Sequence, residues 1–150
     1  MPQSLAKIYI HIVFSTRNRE RVLADGDGPE LHAYIGGILN GLGCIPLEIN
    51  TEPDHAHILF ILGRTIALSE VVGGVKKSAT DWLRARSPQY AGFHWQSGYG
   101  AFSVSQSAVA TVRNYIRNQR EHHRGKPFED EYRAMLEKHG MEYDERYVWE

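Results

Sequence analysis

Hydrophobic residues along the chain recur at every second position in some segments and at helical spacing in others, which predicts strands alternating with helices. The opening strand, for example, places Ile10, Ile12 and Phe14 on one side. Helical spacing follows Pro29 and begins again at Leu68. We predict strands at residues 8–14, 44–51, 55–62, 93–96 and 101–104, and helices at residues 29–42, 68–83, 108–122 and 128–139.

Turn and capping residues separate these elements. Pro46 places the second strand at a sheet edge or at a bulge, and a turn at Pro53 and Asp54 leads into the third strand. Ser107 can cap the third helix, which Gly125 ends. The order β-α-β-β-α-β with additional C-terminal helices predicts an α+β fold, the ferredoxin-like antiparallel sheet with two helices on one face. The other face must then be covered by the late helices, by a partner subunit or by a ligand.

Length and composition agree with one domain spanning residues 1–150. The 150 residues are 42% hydrophobic and 23% charged, and no repeat or linker divides them. The single cysteine, Cys44, excludes an intramolecular disulfide framework and a zinc site built from thiolates. The apolar runs are too short to cross a bilayer and the first residues do not resemble a signal peptide, so we expect a soluble, cytoplasmic protein.

The formal net charge of −1 conceals an uneven distribution. Residues 64–126 carry 10 basic and 3 acidic side chains, whereas residues 127–150 carry 3 basic and 8 acidic ones. A polyanion would therefore meet a basic middle section beside an acidic tail. A solvated helical face is the alternative explanation of the same charges.

Two histidines lie two residues apart on the third predicted strand. His55 and His57 therefore project from the same face of that strand, opposite its apolar side chains. In their neutral forms, two neighbouring imidazoles can bind one metal ion, with a third ligand from elsewhere in the chain. Asp54 is placed to orient one of the rings through a hydrogen bond. The alternative is that both histidines merely flank the turn and form no site.

The third predicted helix carries Tyr115 and Gln119, four residues apart and therefore on one side. A tyrosine beside apolar residues is usually part of a core, and a phenol with a pKa of about 10 is a poor nucleophile at neutral pH. A metal that activates a phosphate would make this phenol a usable nucleophile. Arginines on this helix and just beyond its end suit a phosphate backbone better than a core. They are Arg113, Arg117, Arg120 and Arg124.

Five segments resemble one known family in both order and spacing. Residues 52–60, EPDHAHILF, resemble the histidine–hydrophobe–histidine motif of HUH single-strand endonucleases. Residues 115–119, YIRNQ, resemble the tyrosine helix of the single-tyrosine HUH transposases, small hairpin-recognising insertion-sequence enzymes that include the repeat-associated tyrosine transposases. The resemblance covers about residues 5–124 as the catalytic core and leaves residues 127–150 as a helical tail. The other similar segments are residues 8–14 with Arg17 and Arg19, residues 71–79 and residues 95–105.

The resemblance implies a metal-dependent DNA transposase. His55, His57 and Gln119 would hold one divalent cation, Mg²⁺ or Mn²⁺, with Asp54 beside them. Tyr115 would cleave single-stranded DNA at hairpin-marked element ends, forming a 5′-phosphotyrosine intermediate and releasing a 3′-hydroxyl. A second 3′-hydroxyl would then attack the phosphotyrosine and rejoin the strand without an external energy source.

The implied partners are single-stranded hairpin DNA and a second copy of the chain. The resemblance implies no membrane association and places the protein in the prokaryotic cytoplasm, at the nucleoid. The family forms homodimers in which the tyrosine helix can serve the partner's histidines, so each active site can be shared between chains. Residues 98–107 before that helix and Gly125 after it fit a movable element. The candidate DNA contacts, each of which can equally be an ordinary surface cation, are Arg17, Arg19, Arg21, Lys76, Lys77, Arg84, Arg86, Arg113, Arg117 and Arg120.

Other functional classes stay open at this stage. The chain can be a catalytically silent or domesticated module that binds single-stranded nucleic acid, since ferredoxin-like sheets stack bases on aromatic side chains. It can also be an HUH nickase of the replication-initiator or relaxase type. A small hydrolase with a histidine zinc site ranks last, because only Gln119 offers a third ligand. We expect structural roles for His11, His32, His94, His122, His123, His139, Trp82 and Trp95.

Overall fold

Strands and helices alternate along the chain much as the hydrophobic pattern predicts. The computed structural model describes residues 2–122 and 125–150, with the backbone alone at residue 122. Strands β1 to β4 are Tyr9–Ser15, Ile45–Glu52, His55–Ile61 and Gly100–Val104. Helices α1 to α5 are Gly28–Gly41, Leu68–Arg86, Val109–Arg117, Gln119–His122 and Phe128–Lys138. Within the described ranges, no helix is long and apolar enough to cross a membrane.

The four strands form one antiparallel sheet in the order β2-β3-β1-β4. At its centre, Ile12 of β1 lies opposite Ile58 of β3 and Ala101 of β4. With α1 between β1 and β2, and α2 between β3 and β4, this is the ferredoxin-like βαββαβ arrangement, so the predicted fold class is confirmed. β2 is an edge strand, and its register with β3 shifts between Pro46 and Glu48, because proline cannot donate to a neighbouring strand.

One face of the sheet carries the main hydrophobic core. The side chains that alternate inwards on β1 and β3, among them Ile12, Phe14 and Ile58, have no exposed surface. Helices α1 and α2 cover them with apolar side chains such as Leu39 and Val75. Removing this surface from water stabilises the fold by about 25 cal/mol per Å².

A second, smaller apolar cluster lies on the opposite face, where α5 packs against the sheet. Gly100 permits this close approach, because a Cβ atom at that position would lie 2.8 Å from the hydroxyl oxygen of Tyr132. The late helix therefore covers this face, which is one of the three possibilities that the sequence leaves open. The cluster consists of Val13, Phe102, Phe128, Tyr132 and Leu136.

The predicted continuous helix over residues 108–122 is wrong. Helix α3 ends at Arg117, Asn118 adopts φ −101° and ψ 26°, and α4 begins at Gln119. Asparagine favours such helix ends because its side chain competes with the helix for backbone hydrogen bonds. The predicted tyrosine helix is thus two helices with a break immediately before Gln119.

The predicted strand over residues 93–96 is also wrong. Only Trp95 pairs with a neighbour, in an isolated bridge to Thr16. The next ladder position is occupied by a side chain, since Oε1 of Gln96 accepts a 2.8 Å hydrogen bond from the amide of Ser15. A single side chain thereby replaces the backbone pairing that would have extended this segment.

Candidate active site

The two histidines of the motif lie on the face of the sheet that α5 covers. Side chains alternate along β3, so His55 and His57 share this face while Ala56 and Ile58 belong to the main core. Each histidine is only 1% exposed, and the centroids of their rings are 5.1 Å apart. The imidazoles are therefore neighbours, as their spacing predicts.

Each motif histidine is held through its Nδ1 atom. Nδ1 of His55 lies 2.7 Å from Oδ1 of Asp54, and Nδ1 of His57 lies 2.9 Å from Nε2 of His11. Burial, with a contribution from His57, lowers the pKa of His11 well below its usual value, so His11 is neutral near neutral pH. These contacts fix the rings so that both Nε2 atoms face the middle of the site.

Asp54 stays ionised although it is buried. Burial by itself raises the pKa of this carboxyl, but the hydrogen bond and charge of His55, together with Arg21, bring the pKa below its usual value. The guanidinium of Arg21 lies 3.7 Å from Oδ2 of Asp54. A charged carboxylate thus holds the His55 ring, at the position where the sequence predicts an orienting residue.

A glutamate from the C-terminal helix joins the histidines. Glu131 of α5 is 5% exposed, and its Oε1 lies 3.2 Å from Nε2 of His57. One possible ligand atom from each of His55, His57 and Glu131 lies within 4.8 Å of the others. Donor atoms this close can bind a single cation whose bonds to them are about 2.1 Å long.

Nothing in the motif spacing predicts Glu131. It follows Phe128 by three positions and precedes Tyr132 and Leu136, so it lies on the buried, apolar face of α5. A carboxylate is rarely buried on such a face without a partner, and this placement is the one sequence signal that points to it. Only the docking of α5 on the sheet reveals that the partners are the motif histidines.

Tyr115 reaches the same cluster from α3. Its hydroxyl donates a hydrogen bond to Oε1 of Glu131, and its ring meets His57 edge-on with 5.8 Å between centroids. Burial, followed by the charge and hydrogen bond of Glu131, raises the pKa of Tyr115 well above its usual range. In this arrangement the phenol is therefore protonated.

Gln119 enters the site from the first position of α4. It is 1% exposed, and its Oε1 lies 3.2 Å from Nε2 of His55. Its Nε2 donates a 3.3 Å hydrogen bond to the backbone oxygen of Tyr115, which links the Gln119 side chain to the backbone of α3 across the helix break. The fold thus brings together every residue predicted for the centre of the site: His55, His57, Asp54, Tyr115 and Gln119.

This donor set fits a divalent metal ion. Two imidazole nitrogens, a carboxylate oxygen and an amide oxygen face one another, and both imidazoles have their other nitrogen engaged. Oxygen donors suit Mg²⁺ and Mn²⁺, whereas imidazole nitrogens favour Mn²⁺ over Mg²⁺. This combination of nitrogen and oxygen ligands can therefore bind Mg²⁺ or a divalent first-row metal such as Mn²⁺.

Helix α5 encloses the site on the solvent side. The ring of Phe128 stacks on His55 with 4.3 Å between centroids and an angle of 19° between planes. A cleft of about 490 Å³ reaches His55 from the outside, and its walls include Arg21, Arg120 and Lys126. An anionic strand that approaches His55 would pass these cations.

The ten candidate DNA contacts differ in their partners. Seven form ion pairs: Arg19 with Glu129, Arg21 with Asp54, Lys77 with Asp81, Arg86 with Asp27 and Glu30, Arg113 and Arg117 with Glu48, and Arg120 with Asp25 and Glu52. Lys76 instead donates to the backbone oxygens of Gln96 and Gly98, and burial lowers its pKa to about 8. Among the described residues, no carboxylate oxygen lies within 4.0 Å of the guanidinium of Arg17 or Arg84, although Arg84 donates a 2.7 Å hydrogen bond to the backbone oxygen of Phe93.

The remaining sequence expectations also have definite places. His11 supports a motif histidine, and His32 bonds to the hydroxyl of Thr51 at 2.8 Å. Trp95 is buried in the main core, with Trp82 packed at its margin. Arg124 and His123, together with the side chain of His122, lie outside the described residues.

A comparison with known families identifies the chain. The family model described as "Transposase IS200 like" matches residues 4–119. The chain belongs to the IS200-like transposase family. The prediction of a single-tyrosine HUH transposase is thereby confirmed, and the matched segment includes both histidines of the motif, Tyr115 and Gln119. Glu131 lies outside the matched segment and is contributed by the C-terminal helix of this transposase.

Individual relatives agree with this family. ISDra2 transposase TnpA of Deinococcus radiodurans is 26% identical over 116 residues, which are 73% of this chain and 81% of the relative. Two solved structures share the fold. A Deinococcus radiodurans R1 protein assigned as a transposase has a TM-score of 0.61 at 22% identity, covering 79% of this chain and 98% of its own. A REP-associated tyrosine transposase bound to a REP hairpin has a TM-score of 0.60 at 16% identity. The match covers 83% of this chain and 73% of that structure's chain.

Proposed function

We propose that this transposase cleaves and rejoins single-stranded DNA with Tyr115 as the nucleophile. The observation that carries the proposal is the position of the Tyr115 hydroxyl, which bonds to Glu131 beside His57. A tyrosine from one helix and two imidazoles from a strand thus share one buried carboxylate. A buried tyrosine usually finds a hydrogen-bond partner, as Tyr90 of the main core does with Asp27, but the partner of Tyr115 also contacts a motif histidine.

His55, His57, Gln119 and Glu131 are the residues that would hold the metal. When bound, a divalent ion supplies charge stabilisation to the reacting phosphate. We propose Mg²⁺ or Mn²⁺, since the donor set combines oxygens with imidazole nitrogens. Asp54 and His11 hold the two imidazoles in place from behind.

The reaction that these residues support is a phosphoryl transfer to the phenol. Oη of Tyr115 attacks the phosphorus of a phosphodiester, the bond from phosphorus to the 3′-oxygen breaks, and that oxygen leaves as a 3′-hydroxyl. A 5′-phosphotyrosine remains on the enzyme. A second 3′-hydroxyl then attacks it, the tyrosyl oxygen leaves, and the strand is rejoined because the covalent link conserves the phosphodiester.

The proposed substrate is a strand with a hairpin. The REP-associated tyrosine transposase whose fold this chain shares is bound to a REP hairpin. Four cations line the cleft that leads to His55, and a DNA strand would compete for them with four carboxylates of the same walls. Labelled hairpin oligonucleotides are therefore the probes for the experiments on cleavage and DNA binding.

The test is formation of a covalent protein–DNA adduct. Wild-type protein, a labelled single-stranded hairpin oligonucleotide and Mn²⁺ or Mg²⁺ should yield a slower band on a denaturing gel. Tyr115→Phe should bind the oligonucleotide but form no adduct. Tyr132→Phe is the matched control, since Tyr132 of α5 is also a buried tyrosine and its substitution should leave the adduct intact. An adduct from Tyr115→Phe would exclude Tyr115 as the nucleophile.

We further propose that the chain forms the homodimer implied by its resemblance, with each active site completed within one chain. Within one chain, the Tyr115 hydroxyl and the His57 ring both contact Glu131, so a site completed in one chain requires no movement of the tyrosine helix. Mixing Tyr115→Phe with His57→Ala protein tests it, because sites shared between chains would regain activity in mixed dimers. No recovery is expected, and sedimentation equilibrium measures the dimer itself.

A second candidate function is a DNA-binding module without catalysis. The enclosure of both histidines by α5 favours it, because a phosphate needs access to them. Absence of nicking with several hairpins and several divalent ions, combined with firm DNA binding, would support this alternative.

A further inference from the structure

The loop after β1 carries Arg17 and Arg19, which border one shared cleft; Arg19 also borders the His55 cleft, and Arg17 borders a further one. Residues Arg17–Arg19 form a 3₁₀ turn in which Asn18 and Arg19 have φ values of 57° and 56°. A left-handed backbone costs about 1–2 kcal/mol per residue for side chains other than glycine, so contacts must hold it. The hydroxyl of Thr16 donates a 2.6 Å hydrogen bond to the backbone oxygen of Glu20 and closes the loop. Arg17 consequently borders a cleft of about 410 Å³ that is separate from the His55 cleft.

Arg17 and His94 both border this cleft, and Arg84 of α2 approaches the His94 ring. Its amide donates a 2.9 Å hydrogen bond to the backbone oxygen of His94, whose side chain is exposed. Nη2 of Arg84 lies 3.4 Å from each ring nitrogen of His94 and donates to the backbone oxygen of Phe93 at 2.7 Å. Desolvation, followed by the charges of Arg17 and Arg84, lowers the pKa of His94.

The cluster of Arg17, Arg84 and His94 lacks the counter-charges found elsewhere. Within residues 2–122 and 125–150, no carboxylate oxygen lies within 4.0 Å of either guanidinium. Glu20 also borders the cleft but is not within that distance of them. Like charges held together without a counter-ion repel one another, and a bound anion removes that repulsion.

The position of the cluster indicates which anion it binds. The amide of Thr16, next to Arg17, donates a 2.9 Å hydrogen bond to the backbone oxygen of Asp54, which precedes His55. A DNA strand cleaved at Tyr115 carries further phosphates on both sides of the cleaved one. We propose that Arg17, Arg84 and His94 bind a backbone phosphate of that strand at a distance from the reacting phosphate, an inference that rests on the proposed function.

Binding of labelled hairpin oligonucleotide at several salt concentrations tests this site. The full chain with Tyr115→Phe measures binding without cleavage. Arg17→Ala should weaken binding roughly three- to tenfold and lower the slope of log affinity against log salt by about one. Arg84→Gln, which keeps a donor for the Phe93 oxygen, should do the same, and His94→Ala should weaken binding roughly threefold with the slope unchanged.

The matched control is Arg64→Ala. Arg64 is an exposed arginine beyond the far end of β3, and it too has no carboxylate within 4.0 Å in the described part of the chain. Its removal should change neither affinity nor slope. Equal losses in Arg64→Ala and Arg17→Ala would show general charge attraction and would overturn the proposal.

Other outcomes separate the remaining possibilities. An unchanged salt slope in both Arg17→Ala and Arg84→Gln overturns the site, and so does a loss that depends on the base sequence of the hairpin. Protection from thermal unfolding by inorganic phosphate, lost in Arg17→Ala while DNA affinity stays constant, would assign a free phosphate instead. If the slopes fall as expected but wild-type protein forms no adduct, the phosphate site stands and the proposed catalysis fails.

Discussion

Two adjacent residues of β3 belong to opposite faces of one sheet. Ile58 faces α1 and α2 with no exposed surface, whereas His57 faces α5 and is 1% exposed. The extent of burial is equal, but one environment is almost wholly apolar and the other contains imidazoles, carboxylates and an amide. The degree of burial therefore does not distinguish the hydrophobic core from the candidate active site. The partners of the buried polar groups do distinguish them.

The two faces make different energetic contributions. Apolar burial under α1 and α2 stabilises the fold directly. On the α5 face, an unpartnered polar side chain would cost several kcal/mol, so each must be matched by another. The pairs of His55 with Asp54 and of His57 with His11 satisfy this requirement and also orient the rings. The polar contacts under α5 therefore fix the orientation of the site's side chains, whereas the apolar burial under α1 and α2 supplies the free energy that stabilises the fold.

The largest expected effect is on the polar face. His57→Ala removes one imidazole, and we expect strand cleavage to fall at least about 1,000-fold because the metal can no longer be held. The circular dichroism spectrum should remain that of the wild type, since the apolar face is untouched. His32→Ala, on α1, is the control and should cleave normally. Retained cleavage in His57→Ala would remove this imidazole from the mechanism.

Glu131→Gln tests the role of charge on the α5 face, because it removes a negative charge without changing the size of the side chain. We expect the Mn²⁺ concentration that gives half-maximal cleavage to rise about 100-fold, because a carboxylate ligand becomes a weaker amide. Isothermal titration with Mn²⁺ should show the same loss without any DNA. Glu129→Gln, two residues earlier on α5 and paired with Arg19, should leave both measurements unchanged. Unaltered metal binding in Glu131→Gln would show that Glu131 is not a ligand.

A smaller effect is expected for Asp54→Asn. The amide oxygen can still accept from Nδ1 of His55, but the charge that steadies the ring is lost, so metal affinity should fall about tenfold. Titration of cleavage against Mn²⁺ measures the change. Asp144→Asn, an exposed aspartate in the tail, provides the comparison and should behave as the wild type. Full affinity in Asp54→Asn would mean that the ring is held by other contacts.

The smallest effect belongs to the apolar face. Ile58→Val removes one buried methylene, which should lower the free energy of unfolding by about 1 kcal/mol and the melting temperature by roughly 2–4 °C. Cleavage below the melting temperature should keep its metal dependence. Ile45→Val at the sheet edge, where Ile45 is 54% exposed, should leave the melting temperature unchanged. A changed metal requirement in Ile58→Val would show that the two faces are coupled.

The predicted features that hold are those encoded over short distances. The strand period places His55 and His57 on one face, and Pro46 marks the edge strand and its register shift. The predicted helix that carries Tyr115 and Gln119 is interrupted at Asn118. A hydrogen bond from the Gln119 side chain to the backbone oxygen of Tyr115 still joins the two residues. Local patterns thus predict the elements well and their continuity less well.

The distribution of charge, in contrast, could not be interpreted from local sequence patterns. Among the described residues, at least four of the ten basic side chains in the middle section pair with carboxylates from other segments: Glu48, for instance, pairs with Arg113 and Arg117. Counting charges along the chain cannot reveal such pairs, since the partners are far apart in sequence. The contrast between paired arginines and the cluster at Arg17 and Arg84 exists only in the folded protein.

By itself, the sequence determined the order of the elements, the family and the two imidazoles with their tyrosine, because periodicity and motif spacing act over a few residues. Only the tertiary structure decided that Glu131 joins that site, since its position depends on how α5 docks on the sheet. The same holds for which arginines keep their charge unmatched. Docking is the sum of many weak contacts between distant segments, and no single stretch of the chain contains it.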